Sequence, residues 1–189
     1  MSRLLPAVLS RRDLPLAELH AARLDGELFA IDDCFGPVDV PEQSVLRAAS
    51  LSAILPPRLI AEQRSAAWVL GSMLNPPARH QLCVDTRARY RCADAPRFAV
   101  REVVLDGGET LVIGGLRLTT PLRTALDLAR FCDPFGNEEA AIVVSLGAVG
   151  RFGAEEVMAD LARRRHLSGK VRAADRLRAA LPPAGLSPR

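Results

Sequence analysis

The chain has 189 residues, of which 49% are hydrophobic and 25% are charged, so its composition excludes a disordered protein and suits one folded domain with, at most, a small appendage. Its formal net charge of +3 is too small to indicate a nucleic-acid partner by itself. No apolar run is as long as the ~18 residues that a membrane-spanning helix needs. The apolar run at residues 4–9 is interrupted by Pro6 and is too short for a signal peptide. We therefore expect a cytoplasmic protein without a membrane helix or a signal peptide.

The first predicted element is a helix at "PLAELHAARLDG", which Gly26 ends, followed by two extended runs, "ELFAI" and "GPVDV". A helix and a hairpin form the second half of a winged helix-turn-helix domain, so residues 1–42 are predicted to be a partial winged-helix-like segment. The hairpin region is acidic, and its acidic groups would repel DNA phosphates; they are Asp25, Glu27, Asp32, Asp33 and Asp39. This acidity argues against DNA reading by the segment.

Two more helices are predicted before the strands begin. One spans residues 43–55 and stops before Pro56 and Pro57, because the residue before a proline disfavours helical backbone angles. The other lies at about "RSAAWVLGSML", with Ser65 as its N-cap. Trp68 is expected in the core, where its ring buries a large apolar area.

The middle of the chain changes to short runs rich in branched residues and separated by turn residues, which are typical of strands: "QLCVDT", "RFAVREVVL", "TLVIG" and "LRLTT". Helical patterns then return at "TPLRTALDLARFC", "NEEAAIVVSLGAV", "AEEVMADLARRR" and "GKVRAADRLRAAL". The predicted fold class is α+β, with a small, mostly antiparallel sheet packed by helices over residues 43–181. Residues 182–189 are predicted to be a disordered tail.

A charged stripe marks the helix that begins at Thr120 and Pro121, a strong N-cap and first-turn pair. At about 100° per residue, Arg123, Asp127 and Arg130 fall on one side of an otherwise apolar helix. Arg123 in the first turn opposes the helix dipole, so we expect it to have a partner elsewhere, such as a carboxylate or a strand carbonyl. The stripe faces solvent, forms a structural seam of ion pairs, or serves as an anion site, and we favour the structural role.

A zinc site could in principle use His80, Cys83, Cys92 and Cys132. Their spacing matches no closed pair of ligand pairs, and on a strand His80 and Cys83 would point to opposite faces. We therefore expect these cysteines, together with Cys34, to be free thiols and predict no metal.

The sequence contains no strong motif of a known class of enzyme. A metal-dependent nuclease would have Glu102 and Asp106, but the only lysine, Lys170, lies on a predicted terminal helix. There is no Gly-x-Ser-x-Gly turn and no phosphate-binding glycine fingerprint. We therefore predict no catalytic residues, no cofactor and no enzymatic activity.

The last two predicted helices are the most basic part of the chain. The stretch "RRRHLSGKVRAADRLR" has one carboxylate, Asp175, and these cations: Arg163, Arg164, Arg165, Lys170, Arg172, Arg176 and Arg178. Such a cluster could contact the phosphates of double-stranded DNA without reading bases, or an acidic surface of a partner protein. It could equally be a solvated helix face.

The segments "RSAAWVLG" and "LRLTTPLRTALDLAR" together resemble the AbiEi-like antitoxins of type IV toxin–antitoxin systems, especially their actinobacterial branch. Members typically show a Ser-Ala-Ala-x-x-x-Gly helix, then strands, then a Thr-(Ser/Thr)-Pro-x-Arg-Thr-x-x-Asp-Leu-x-Arg run. The matching residues of that run are Thr119, Thr120, Pro121, Arg123, Thr124, Asp127, Leu128 and Arg130. The resemblance covers about residues 60–180.

This resemblance implies a winged-helix N-terminus that represses its own promoter and a C-terminal domain that opposes a nucleotidyltransferase-like toxin without catalysis. Two departures matter: the N-terminal segment matches only half of a winged helix, and no restriction-endonuclease-like region follows, so nuclease activity is not carried over. The expected function is that of an antitoxin or transcriptional regulator that binds promoter DNA, a toxin, or both. The alternatives are an orphan protein-interaction module and a metal-dependent nuclease.

Overall fold

The computed structural model describes residues 6–87, 96–164 and 167–181. The predictions for Cys92, Arg165 and the tail at 182–189 lie outside these residues. The described helices are α1 (Leu16–Leu24), α2 (Ser44–Ile54), α3 (Gln63–Val69), α4 (Pro121–Phe131), α5 (Asn137–Gly150), α6 (Ala154–Arg163) and α7 (Lys170–Ala180). The described strands are β1 (Leu28–Ile31), β2 (Cys34–Pro37), β3 (Ile60–Ala61), β4 (His80–Asp85), β5 (Phe98–Val103), β6 (Thr110–Ile113) and β7 (Leu116–Thr119).

The N-terminal segment contains the expected helix and hairpin. Gly26, with φ of 78°, follows the end of α1, and β1 pairs with β2 in antiparallel register. Leu9 adds a bridge to Phe35, and both pack with Leu19 in a small apolar cluster. Ile31 instead belongs to the main core, so this segment packs against the rest of the chain. A winged-helix domain at residues 1–42 stays a prediction.

The larger sheet has five strands in the order β5-β4-β3-β7-β6. Its outer pair β6–β7 and the pair β3–β4 are antiparallel, whereas β4–β5 and β3–β7 are parallel. The α+β class is confirmed, but the sheet is mixed rather than mostly antiparallel. The tight turn at Gly114 and Gly115 makes β6 and β7 a hairpin, whereas the longer connection between β4 and β5 allows a parallel return.

Helices α3 and α4 lie at the centre of the core. Trp68 of α3 is buried as expected, and Leu126 and Leu128 of α4 are buried as well. Helix α4 contacts α3 on one side and α5 and α7 on others, so even its charged residues are covered. Gly150 permits this approach, because an added Cβ would lie 2.8 Å from atoms of Pro121 and Phe152. In the part of the chain that the structure describes, no helix has the length and hydropathy needed to cross a membrane.

Candidate functional site

Asp127 is the centre of a buried group of charges around α4. Its carboxylate accepts hydrogen bonds from Arg123 Nε at 2.8 Å and from Arg130 Nη1 at 2.9 Å, and only 1% of the side chain is exposed. These two arginines lie four residues before and three residues after Asp127, which brings all three side chains to one face of the helix. The stripe expected from the sequence is therefore an ion-pair seam inside the protein.

Arg123 also has the carboxylate partner that its position in the first helical turn predicted. Its Nη1 donates to Glu109 Oε2 at 2.5 Å and lies 3.5 Å from the carbonyl oxygen of Val104. Glu109 comes from the turn before β6, and its Oε2 also accepts a hydrogen bond from the Asp106 amide. The turn is thus held to the start of α4 by a buried ion pair.

A second buried pair approaches Asp127 from the sheet. Arg101 of β5 binds Glu62 through two nitrogens, Nε at 2.7 Å and Nη2 at 2.5 Å, and Nη2 lies 3.6 Å from Asp127 Oδ2. Burial raises the pKa of Glu62 more strongly than Arg101 lowers it, with a further upward push from the charge of Asp127. Glu62 therefore takes a proton more readily than a solvent-exposed glutamate does.

The outer end of the same group reaches α6. Arg164 Nη2 lies 2.5 Å from Glu109 Oε1, and Arg164 Nε donates to Asp160 Oδ2 at 2.6 Å. Arg163 donates to the other oxygen of Asp160 at 2.8 Å but keeps most of its side chain in solvent. We call the whole set the α4 charge network; its members are Glu62, Arg101, Glu109, Arg123, Asp127, Arg130, Asp160, Arg163 and Arg164.

A cavity of about 860 Å³ opens on this network, and we call it the α4 cleft. Five guanidinium groups line it, those of Arg101, Arg123, Arg130, Arg163 and Arg164. The ring of Phe131, at the end of α4, lies beneath two of them, with its centroid 4.1 Å from Arg101 Cζ and 4.3 Å from Arg130 Cζ. The cleft therefore combines buried cations with an apolar wall.

Most of the described terminal-helix cations are bonded to the protein itself. Arg176 donates to the carbonyl oxygens of Ala129 and Cys132, and Arg172 donates to that of Arg130, so α7 caps the C-terminus of α4. Lys170 donates to the carbonyl oxygen of Arg164 at 2.8 Å. Arg178 extends into solvent, as Arg163 does. Among the described cations, Arg164, Lys170, Arg172 and Arg176 thus bind acceptors within the protein. Contact of the cluster with DNA or a partner protein stays a prediction.

A polar chain that the sequence analysis did not identify joins the N-terminal hairpin to the core. Ser65 Oγ lies 3.1 Å from His80 Nδ1, and His80 Nε2 lies 2.9 Å from Asp32 Oδ2. The order of groups is that of a serine hydrolase triad, but Ser65 and His80 are fully buried, so substrate has no access to the hydroxyl. Asp32 also accepts a hydrogen bond from Arg97. These contacts hold the N-terminal hairpin to the core, and we call the set of Ser65, His80, Asp32 and Arg97 the hairpin clasp.

His80 and Cys83 lie on opposite faces of β4, as the strand period predicted. Cys83 packs with Ile60 and Leu105, whereas His80 forms a hydrogen bond with Asp32 of the N-terminal hairpin. Among residues 6–87, 96–164 and 167–181, no group of histidine, cysteine and carboxylate side chains could hold a metal ion. Glu102 and Asp106, the carboxylates considered for a nuclease, are exposed on the rim of the α4 cleft.

Comparison with known proteins gives a family and a fold. Residues 59–181 match the model of the AbiEi antitoxin C-terminal domain. The structure is similar to the crystal structure of the RV2827C protein from Mycobacterium tuberculosis, with a TM-score of 0.50 and 17% identity over 93% of this chain and 72% of that chain. At this identity the likeness concerns the fold alone. No protein of curated function matches the chain significantly.

Proposed function

Because the chain belongs to the AbiEi antitoxin family, we propose that it acts by binding a nucleotidyltransferase-like toxin, with its own promoter DNA as a second target. The family supports the role of an antitoxin or regulator. No catalytic step is part of this proposal.

The proposal of a protein partner rests on the outer face of α1. Leu16 and Leu24 are 54% and 88% exposed, and at about 100° per residue they share a side of α1 with His20, Ala17 and Ala21. This face consists of apolar side chains and one histidine, and the exposed Arg23, seven residues after Leu16, lies next to it. The apolar side chains are suitable for burial against a protein rather than for contact with DNA phosphates. The face supports a protein interface.

Charge around this face indicates the chemistry of the partner surface. Exposed charges of both signs surround α1 and its hairpin; the carboxylates are Glu18, Asp25, Glu27, Asp33 and Asp39, and the arginines are Arg11, Arg12 and Arg23. An apolar face with a mixed but mainly acidic border complements an apolar patch with a mainly basic border. We therefore assign this face to the toxin.

The test has two steps: a search for a nucleotidyltransferase-like toxin gene beside this gene, and growth protection on co-expression with its product. Leu24→Glu should abolish protection, because it places a carboxylate in the centre of the apolar face. Leu74→Glu is the matched control, since Leu74 is 82% exposed on the loop after α3 and belongs to another surface. Equal protection by both variants would refute the assigned face, and a toxic effect that wild-type protein does not relieve would refute the antitoxin proposal.

Promoter DNA is the second candidate target, and exposed arginines on the last helices favour it. The side chains of Arg163 and Arg178 are 70% and 63% exposed on α6 and α7. Binding of a duplex with the gene's own promoter should weaken steeply with salt, and Arg163→Gln with Arg178→Gln should lower the slope by about 2 if both contact phosphates. Absence of binding at low salt, or binding independent of salt, would exclude this target.

Two alternatives have their own discriminating observations. An orphan interaction module would have no toxin gene beside it, and its α1 face would still be needed to capture its partner. A metal-dependent nuclease would cleave plasmid DNA in the presence of magnesium or manganese. Intact plasmid under those conditions would remove the nuclease alternative.

A further inference from the structure

We propose that the α4 cleft binds a small phosphate-bearing ligand, a site beyond the toxin and DNA contacts of the proposed function. The cleft has a volume of about 860 Å³, within the usual range of small-molecule sites. It lies between β5, the turn before β6, the start of α4 and the end of α6. The α1 face belongs to none of these elements.

Unused hydrogen-bond donors are the first support. Among the described residues, one terminal nitrogen each of Arg101, Arg123, Arg130 and Arg164 has no protein acceptor. None of these nitrogens is a fully buried atom without a hydrogen-bond partner. Because all four residues line the cleft, their free N–H groups are accessible to solvent there. Guanidinium groups with free N–H donors in a fixed orientation suit the tetrahedral oxygens of phosphate.

Preorganisation is the second support. The carboxylates of Glu62, Glu109, Asp127 and Asp160 hold the arginines in place, so a ligand would not have to order long side chains on binding. Counted over its described residues, the cleft has no net positive charge when all groups are ionised, because Glu102 and Asp106 on its rim add two exposed carboxylates to these four. The attraction for a phosphate is therefore local to the guanidinium groups. Protonation of Glu62, whose pKa burial raises, would remove one negative charge beside Arg101.

The depth of the guanidinium groups decides the size of the ligand. The side chains of Arg101, Arg123, Arg130 and Arg164 are between 6% and 28% exposed, so they lie inside the cleft rather than on its rim. A free phosphate or a small phosphate ester can enter a cleft of this volume and reach these groups. Val103, Leu122 and Leu167 would contact the apolar part of an ester.

The amide of Leu122 adds a weaker attraction at the same opening. Pro121 is the first residue of α4, and the Arg123 amide is capped by Thr120, so the next free amide at the positive end of the helix is that of Leu122. The glycines at 107 and 108 form the facing turn and leave room there. This feature accompanies the arginines and does not carry the proposal alone.

The experiment is isothermal titration calorimetry of the full chain with inorganic phosphate and pyrophosphate at constant ionic strength. Val104→Asp should weaken pyrophosphate binding about tenfold or more, because a carboxylate would lie beside the guanidinium groups. Val112→Asp is the matched control: Val104 and Val112 are 59% and 64% exposed, but only Val104 lines the cleft. Asp106→Asn should tighten binding about two- to threefold, since it removes an exposed negative charge from the rim.

Different outcomes separate the possibilities. Weaker binding in Val104→Asp with parental binding in Val112→Asp, both with parental melting temperatures, supports the site. Absence of pyrophosphate binding to the parent, or the same loss in both variants, overturns it. Duplex DNA that displaces pyrophosphate and shows the same Val104→Asp loss would also overturn it, since the cleft would then be part of a DNA surface. None of these results depends on toxin binding.

Discussion

His80 Nε2 lies 2.9 Å from Asp32 Oδ2, so the middle of the chain is bonded to the turn of the N-terminal hairpin. Asp32 has a φ of 52°, a left-handed conformation that the turn imposes, and its other oxygen accepts from Arg97 at 2.9 Å. The hairpin is therefore attached through a carboxylate that has partners on two elements of the sheet region. Because α1 packs against this hairpin, the attachment also fixes the position of the α1 face.

Asp32→Asn should destabilise the protein by about 1–3 kcal/mol, because a charge-assisted hydrogen bond and an ion pair are both weakened in a buried place. Urea denaturation of parent and variant gives the free energy of unfolding. Asp39→Asn, at an exposed position near the hairpin, is the control and should change this free energy by less than about 0.5 kcal/mol. If both variants unfold alike, the hairpin clasp does not stabilise the fold.

The same carboxylate predicts an acid dependence. Burial raises the pKa of Asp32, but the hydrogen bond and charge of His80, together with Arg97, outweigh burial and hold the pKa below its ordinary value. A depressed folded-state pKa gives stability that is present above the unfolded value of about 3.9 and is lost as the pH falls through the folded value. Between about pH 4 and pH 2 the parent should therefore lose more unfolding free energy than Asp32→Asn does. Parallel pH profiles would contradict this assignment.

Arg123→Ala should cost about 3–5 kcal/mol of unfolding free energy, because it leaves Asp127 and Glu109 buried with fewer partners. Arg117→Ala on β7 is the control, since Arg117 is exposed, and it should be nearly neutral. Thermal or urea unfolding measures both variants. If Arg123→Ala melts like the parent and instead loses a binding partner, its role is in recognition rather than structure.

Arg176→Ala should lower stability by about 1–2 kcal/mol, since the guanidinium binds two carbonyl oxygens at the C-terminal end of α4. Arg178→Ala on the same helix should cost at most about 0.5 kcal/mol, because its pair with Asp175 is exposed. The comparison uses equilibrium denaturation. A larger loss in Arg178→Ala than in Arg176→Ala would show that the inward contacts of α7 contribute little.

Thiol reactivity tests the burial of the hairpin. Burial, followed by the charge of Asp32, raises the pKa of Cys34 to about 11, and burial also raises the pKa of Cys83. Both thiols should resist Ellman's reagent at pH 8 in native protein and react in denaturant, with peptide mapping to identify each site. Asp32→Asn should speed labelling of Cys34 more than that of Cys83. Rapid native labelling of Cys34 would place it outside the core.

Local signals explain what could be predicted. Thr120 and Pro121 marked the start of α4 because a cap and a first-turn proline act on adjacent backbone groups. The helical period placed Arg123, Asp127 and Arg130 on one face, and the dipole argument required a partner for Arg123. Each of these inferences depends on residues within a few positions of each other. The α+β class could be predicted for the same reason, since each strand and helix has its own local pattern.

The sequence by itself determined the main helices, the family motif and the alignment of three charged residues on one face of α4. Only the tertiary structure decided that Glu109 completes the Arg123 pair, that His80 meets Asp32, and that Arg176 turns toward α4. It also decided the mixed pairing of the sheet and the two-residue strand β3. The physical reason is that a periodic pattern specifies which face of a helix or strand is covered, whereas packing of distant segments specifies which group covers it.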